Sequence, residues 1–333
     1  MKNDASRICT IEAPCKINLH LQIGQKRPDG YHDLESLFAS LAFGDTLRFE
    51  SGAKNGAPRT EGRHLFCHLL MEWEGSSEDI PREQVPMEKN LVFRAVSLFR
   101  ERTGFDSPLE ILVKKRIPGG AGLGGGSSDA ASTLLALNFL AGEPLSDGEL
   151  GEMAAILGSD VPFFLKGGAA YVCGRGEIVE SAEIPQNLWV VLSKPPFSSS
   201  TASAYRLLDE AREAAAAEEK YWAKALSKES IVRALGTDPE TWPYANDFLP
   251  VFLASPLARE TGDPINAGIY RDIIGTLRET GASFAGLSGS GSSCFGIFRS
   301  EKQAEKSEKE LSKRGNFTKL TFFLARRPIP VLE

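Results

Sequence analysis

Apolar and polar residues alternate near the start of the chain as they do in a β-strand. Ile17, Leu19, Leu21 and Ile23 would share one face, and Lys16, Asn18, His20 and Gln22 the other, which predicts a half-buried strand. Further strands are predicted at residues 31–38, 46–50, 109–113, 169–173, 177–179, 188–192, 294–298 and 319–324. Helices are predicted at residues 90–103, 129–138, 145–157, 206–228, 269–280 and 301–314, with another beginning at Asn246. Strands and helices alternate without a doubly wound order, which favours two α+β domains.

A glycine-rich stretch at residues 118–128 lies between a predicted strand and a predicted helix. Six of its eleven residues are glycine. Glycine adopts positive φ and has no Cβ, so consecutive backbone N–H groups can line a concave surface. Beside the positive end of a helix, such a surface binds phosphate. Ser127, Ser128 and Asp129 are candidate N-cap residues for that helix.

Three interpretations of this stretch compete. One is a mobile loop. It is disfavoured because glycine loses more conformational entropy on folding than any other residue, so six glycines need a structural or functional reason. Gly120, Gly122 and Gly125 fit a dinucleotide fingerprint, but no second strand ending in an acidic residue follows the helix. A mononucleotide phosphate cradle remains, and it is not a Walker loop because Gly126 occupies the position of the lysine. The positive charge must therefore come from elsewhere in the chain.

Composition narrows the class of protein. The chain has 333 residues, of which 42% are hydrophobic, and a net charge of −6, which argues against binding along a nucleic-acid backbone. Five scattered cysteines suggest reduced thiols in a cytoplasmic protein. The first seven residues lack the apolar core of a signal peptide, and no apolar run approaches the length of a membrane span. We therefore expect neither a nucleic-acid partner nor a membrane.

Two charged residues are candidates for chemistry, and each has an ordinary alternative. Lys16 projects from the same strand face as Asn18, although a single lysine is more often solvated. Asp160 lies between a helix end and an apolar, aromatic run. It could cap a turn, or it could be a carboxylate at the edge of a site where it accepts a proton.

Residues 13–19, 118–128 and 286–293, in this order, resemble the three motifs of the GHMP kinases, a family of small-molecule kinases. The resemblance implies a two-domain α+β fold, with a ribosomal protein S5 domain 2-like N-terminal domain and a ferredoxin-like C-terminal domain. We expect these domains at residues 1–187 and 188–333. Residues 27–32 and 157–164 are typical of the branch that phosphorylates a cytidine diphosphate-linked methylerythritol in the non-mevalonate isoprenoid pathway.

The resemblance also implies roles for individual residues. Asp160 would be the general base on the substrate hydroxyl that attacks the γ-phosphate of ATP, and Lys16 would be its electrostatic partner. Asn18, Tyr31, His32 and Tyr205 would bind the substrate, with Tyr31 and Tyr205 stacking on cytosine and His32 reading its edge. Family members need Mg²⁺, for which Ser128 is a candidate ligand. The ATP phosphates would lie on Pro118, Gly119, Gly120, Ala121, Gly122, Leu123, Gly124, Gly125, Gly126, Ser127 and Ser128.

Two other functions stay open at this point. One is a different GHMP kinase, such as a homoserine kinase, and the other is a non-catalytic nucleotide-binding protein. The presence of both Lys16 and Asp160 argues against the second. The polar segments 51–88 and 210–242 are longer than the family core needs, so they bear on the lining of the nucleotide pocket.

Overall fold

A computed structural model describes residues 7–52, 67–74, 86–215, 225–254 and 267–333. Its strands are β1 (Arg7–Lys26), β2 (His32–Ser51), β3 (Cys67–Trp73), β4 (Leu109–Lys115), β5 (Ala169–Gly174), β6 (Ile178–Ala182), β7 (Trp189–Lys194), β8 (Phe284–Leu287), β9 (Cys294–Phe298), β10 (Phe317–Phe322) and β11 (Val331–Leu332). Its α-helices are α1 (Leu91–Thr103), α2 (Gly125–Leu140), α3 (Asp147–Leu157), α4 (Val161–Lys166), α5 (Thr201–Ala215), α6 (Lys228–Leu235), α7 (Phe248–Ala254), α8 (Ala267–Glu279) and α9 (Glu301–Ser312).

The first sheet is built on a long antiparallel hairpin of β1 and β2, each 20 residues long. Residues 46–51 of β2 pair with β4. Residues 34–39 of β2 pair with β5, which in turn pairs with β6. Strand β3 adds to β4 in parallel, and the last strand, β11, returns to the free edge of β1. Helices α1, α2, α3 and α4 supply the apolar residues that cover this sheet.

The second sheet is antiparallel, with strand order β10-β7-β9-β8. In chain order, β7, helices, β8, β9, α9 and β10 form the β-α-β-β-α-β arrangement of a ferredoxin-like unit. The two sheets and their helices confirm the α+β fold that the sequence predicts. None of the helices in the described ranges is long and apolar enough to cross a membrane.

The prediction that β1 is half-buried was wrong. Both of its faces are covered, so Lys16, Asn18 and His20 are each at most 4% exposed. His20 is covered by Tyr244 in the C-terminal part of the chain, whereas Lys16 lies against Phe38 and Asp160 of the N-terminal part. The backbone N–H of Leu21 donates to the carbonyl of Ala245, which holds the C-terminal part of the chain beside β1. The polar residues of β1 do alternate with apolar ones as predicted, but they are buried by segments that lie far away in sequence.

The predicted start of the helix after the glycine loop was also wrong. Helix α2 begins at Gly125, so Ser127, Ser128 and Asp129 lie inside it and do not cap it. Gly124 is the N-cap residue, with φ of 73° and no side-chain cap. Helix α2 is buried on almost every side from Ser128 onward, whereas its first turn, Gly125 to Ser127, is exposed or half-buried and has no capping side chain.

Some predictions fall partly on residues outside the described ranges. The helix predicted at 206–228 is observed as α5, which ends at Ala215, and residues 216–224 are not described. Of the polar segment 51–88, residues 53–66 and 75–85 are not described. Strand β3 lies between these two ranges and was missed, because its largely exposed residues give no clear apolar alternation.

A buried cluster of charges lies where β4 leads into the glycine loop. The Lys115 ammonium contacts a carboxylate oxygen of Asp45 and lies 2.7 Å from one of Asp129. The other oxygen of Asp45 accepts hydrogen bonds from the backbone N–H groups of Arg116 (2.5 Å) and Ile117 (2.8 Å). One lysine therefore ties β2, β4 and helix α2 together directly under the loop.

We expect Lys115→Met to destabilise the fold by about 3–5 kcal/mol at neutral pH, because two buried carboxylates would lose their counter-ion. Lys114→Met is the matched control, since Lys114 is the exposed neighbour on the same strand. Urea unfolding followed by circular dichroism measures both variants. Equal, small losses in the two would show that the cluster contributes no more than a surface charge.

The pH dependence of this loss has a definite sign. Burial raises the pKa of Asp129 to about 7 from an ordinary value of 3.8, so between these values the folded chain keeps a proton that the unfolded chain has released. The stabilisation from this group is full at low pH and is lost as the pH rises through about 7. Removing Lys115 raises that pKa further, so the cost of Lys115→Met should be greater at about pH 8 than at about pH 5.

Candidate active site

A cavity of about 1100 Å³ lies between the first sheet and the C-terminal part of the chain. Its wall is formed by β1, the β1–β2 turn, the glycine loop, the turn before α4, helix α5 and the second glycine loop at residues 286–293. All three sequence motifs therefore contribute to one space.

The three motifs are joined through backbone atoms. The N–H of Lys16 donates to the carbonyl of Leu123, at 2.9 Å, which attaches β1 to the glycine loop. The Ser288 hydroxyl donates to the carbonyl of Gly122, at 2.9 Å, and accepts from the N–H of Asn18, at 3.3 Å. Ser288 thus links the second glycine loop to both of the other motifs, a role that its sequence gave no reason to assign.

The conformation of the glycine loop depends on the absence of side chains. Gly120, Gly122 and Gly124 all have positive φ, between 58° and 73°. A Cβ on Gly122 would lie 2.3 Å from the carbonyl oxygen of Ser288 and 2.9 Å from that of Gly291. These are backbone atoms of the second glycine loop, so the two loops can approach only where residue 122 is glycine.

The residues predicted to bind ATP do not all face the cavity. Gly122, Gly124 and Ser127 line it. Ala121 and Leu123 bury their side chains in the apolar core, so they can offer a ligand only backbone atoms. Ser128 is fully buried, and its hydroxyl has no hydrogen-bond partner among the described residues.

Lys16 and Asp160, which the sequence places 144 positions apart, are brought together in the cavity wall. The Lys16 ammonium lies 3.4 Å from a carboxylate oxygen of Asp160. It also donates to the amide oxygen of Asn18, at 2.7 Å, and lies 4.1 Å from the centre of the Phe38 ring. The amide nitrogen of Asn18 in turn donates to Ser36, at 3.0 Å, so the Asn18 side chain is held in place to orient Lys16.

Asp160 occupies the N-cap position of the short helix α4, but its side chain makes no capping hydrogen bond. Asp160 therefore lacks the side-chain hydrogen bond that a capping residue makes, which disfavours the interpretation of Asp160 as a turn cap. Its carboxylate remains 30% exposed to the cavity, whereas the Lys16 side chain is 5% exposed. An accessible carboxylate beside a buried ammonium can stay ionised and accept a proton.

Tyr31, His32 and Tyr205 line the other end of the same cavity. Tyr31 is 56% exposed, with the Arg175 guanidinium 4.9 Å from its ring centre. His32 is buried and stacks on Tyr205, with ring centres 5.0 Å apart and planes 28° apart. Burial, with a smaller effect of Asp160, raises the pKa of Tyr205, so its hydroxyl stays protonated.

Two models of one protein family match parts of this chain. The GHMP kinases N terminal domain model matches residues 90–168, and the GHMP kinases C terminal model matches residues 263–316. The 4-diphosphocytidyl-2-C-methyl-D-erythritol kinase of Prosthecochloris aestuarii is 37% identical over 320 residues, which cover 95% of this chain and 99% of that protein. The chain belongs to the GHMP kinase family. Members of this family are ATP-dependent small-molecule kinases, and this chain is one of them.

Other similarities of this GHMP kinase differ in extent. The chloroplastic enzyme of the same name from rice is 44% identical over 198 residues, which span 59% of this chain but only 45% of the rice protein. A crystal structure of 4-(cytidine 5'-diphospho)-2C-methyl-D-erythritol kinase superposes with a TM-score of 0.67 at 30% identity, covering 94% of this chain and 98% of that one. Homoserine kinase from Cytophaga hutchinsonii superposes at 0.62 with 17% identity, covering 100% of this chain and 99% of its own, and shows the shared fold alone.

Two cavity residues of this GHMP kinase were missed by the sequence analysis. Asp209 accepts a hydrogen bond from His32, and Arg175 covers one face of Tyr31. Asp209 lies four positions after Tyr205, and both lie on one face of α5, but the sequence predicted the helix to begin only at residue 206, after Tyr205. No comparable signal marked Arg175, since the tip of a hairpin is ordinarily solvated.

We expect Gly122→Ala to destabilise this GHMP kinase by about 2–4 kcal/mol, from overpacking against Ser288 and Gly291 and from left-handed strain. The loops would separate, so ATP binding measured by calorimetry should weaken as well. Gly119→Ala is the control, because an added Cβ there meets no atom within 4 Å. If both variants unfold at the same urea concentration as the parent, the two loops do not need their close approach.

Proposed function

We propose that this GHMP kinase transfers the γ-phosphate of ATP to the 2-hydroxyl of 4-diphosphocytidyl-2-C-methyl-D-erythritol, giving the 2-phosphate and ADP, in the non-mevalonate isoprenoid pathway. One observation carries the proposal. The Lys16–Asp160 pair shares a cavity with Gly122 and Gly124 at one end and with an aromatic platform at the other. The name of the full-length Prosthecochloris aestuarii relative supports the same substrate.

Phosphoryl transfer needs mainly positioning and stabilisation of charge, and the cavity offers both. Asp160 accepts the proton of the attacking hydroxyl. Lys16, fixed by Asn18, stabilises negative charge that develops on the attacking oxygen. The backbone N–H groups of the glycine loop hold the phosphates, and this loop needs no lysine of its own.

The opposite end of the cavity would hold the cytidine. Tyr31 offers an exposed ring for stacking on cytosine. His32 offers an imidazole beside it, and Tyr205 fixes the plane of that imidazole by stacking. Arg175, which also lines the cavity, covers one face of the Tyr31 ring. Asn18 orients Lys16 through its amide oxygen, and it lines the cavity with a second amide N–H left for the substrate.

Magnesium would enter as the complex with ATP. The described residues contain no group of three or more Asp, Glu, His or Cys side chains placed to hold a metal. Mg²⁺ bound with a nucleotide takes most of its ligands from phosphates and water and needs only one or two from protein, so this donor set fits it. The unpartnered hydroxyl of Ser128 is the candidate. The ion would screen the charge of the phosphates.

The acceptor decides between this proposal and its alternatives. We expect ADP release from Mg-ATP when the diphosphocytidyl substrate is present, and none with homoserine or with no acceptor, because the aromatic end of the cavity contributes binding only to a base. A coupled assay for ADP measures all three. Release with homoserine would assign another GHMP activity. ATP binding without release for any acceptor would favour the non-catalytic alternative.

We expect Asp160→Asn to lower turnover by about 10²–10⁴-fold, because an amide cannot accept the proton of the substrate hydroxyl. Asp160 makes no capping hydrogen bond, but the change removes the counter-ion of the buried Lys16, so urea unfolding of the variant checks that the fold is retained. Asp272→Asn is the control, an exposed residue on α8 that does not line the cavity. Turnover in Asp160→Asn within a few-fold of the parent would remove Asp160 from the role of base.

A further inference from the structure

Helix α5 presents a carboxylate to the imidazole that lines the cavity. Asp209 Oδ1 lies 2.8 Å from Nε2 of His32, and its other oxygen, Oδ2, accepts from Lys26 at 3.0 Å. Partial burial acts to raise the pKa of Asp209, but the hydrogen bonds from Lys26 and His32 outweigh it and lower that pKa. Asp209 is therefore an ionised acceptor at neutral pH.

His32 has little freedom to turn away from this contact. Its side chain is 4% exposed, and its ring stacks on Tyr205, one helical turn before Asp209 on the same helix. Among the described residues, Nε2 is the ring nitrogen that has a hydrogen-bond partner. Helix α5 thus fixes the plane of the imidazole and engages Nε2, which leaves Nδ1 as the ring nitrogen that a ligand could use.

We propose that Asp209 is a positioning residue that holds the proton of His32 on Nε2 and so makes the cavity select a base with an exocyclic amino group. The inference rests on the proposed cytidine substrate. An ionised carboxylate only accepts, so in the neutral form of the ring Nε2 donates and Nδ1 presents a lone pair. Cytosine offers N4–H groups to such an acceptor, whereas uracil presents a carbonyl oxygen at the same position.

The expected discrimination is about 10- to 100-fold in favour of cytosine, the range for leaving one buried polar group unpaired. Binding of CDP and UDP, measured by calorimetry with the ATP site filled by a non-hydrolysable analogue, reports this ratio without catalysis. The ¹⁵N chemical shifts of the His32 ring report the tautomer directly. They are assigned by comparison with His32→Gln and recorded at about pH 8, above the ordinary range for imidazole.

Asp209→Asn should reverse the tautomer. Lys26 will orient the new amide with its oxygen toward the ammonium, which turns the NH₂ group toward His32. Nε2 must then accept, and the proton moves to Nδ1. We expect the CDP to UDP affinity ratio to fall to about one or below. Asp209→Ala, which offers no hydrogen bond, should lose the preference without reversing it.

Asp33→Asn is the charge-matched control. Asp33 is next to His32 in sequence and exposed, and it pairs with Arg27, not with the imidazole. It should leave both the tautomer and the affinity ratio unchanged. A parent protein with its His32 proton on Nδ1, or an Asp209→Asn variant that keeps the parental ratio, would overturn the role of Asp209. If CDP does not bind the parent at all, the substrate proposal fails instead, and the ring shifts still test Asp209.

Discussion

The site exists because no side chain occupies position 122. The glycine loop and the second glycine loop meet through backbone atoms at that point, and Ser288 uses the carbonyl of Gly122 to reach β1. In the proposed function, phosphate binding and catalysis would both depend on this contact. It sets the open face of the glycine loop, and it keeps the strand that carries Lys16 against that loop. Any larger residue would have to move two backbones.

Two buried lysines in this protein differ in whether their carboxylate partners are exposed to a cavity. Lys115 contacts two carboxylates, Asp45 and Asp129, and all three side chains are at most 7% exposed. That cluster is closed to ligands, and it serves to join β2, β4 and α2. Lys16 is equally buried, but its carboxylate partner, Asp160, is 30% exposed. The same pair of charges therefore holds a loop in one place and offers a reactive carboxylate in the other.

Much of the fold was predictable because local patterns agree with it. The alternation in β1, the apolar run of β4 and the periodicity of α8 all predicted elements that the structure contains. The glycine spacing also indicated a phosphate cradle. The burial of Lys16, Asn18 and His20 was not predictable, since the segments that cover them lie far away in sequence. The start of α2 at Gly125 was missed because serine is a common N-cap, whereas here the helix begins after a glycine with positive φ and has no side-chain cap.

The separation between the two ends of the cavity is set by β1. This strand carries Lys16, and the turn that follows it carries Tyr31 and His32. Helix α5 is fastened to the far end of β1, because Arg212 donates to the carbonyls of Ile23 and Gly24 at 2.5 and 2.6 Å. Tyr205 and Asp209 lie on that same helix. In the proposed function, a base bound at His32 would be connected through this one strand to the Lys16–Asp160 pair, which fixes the distance between the base and the reacting hydroxyl. Correct reading of the base would then place the hydroxyl beside Asp160.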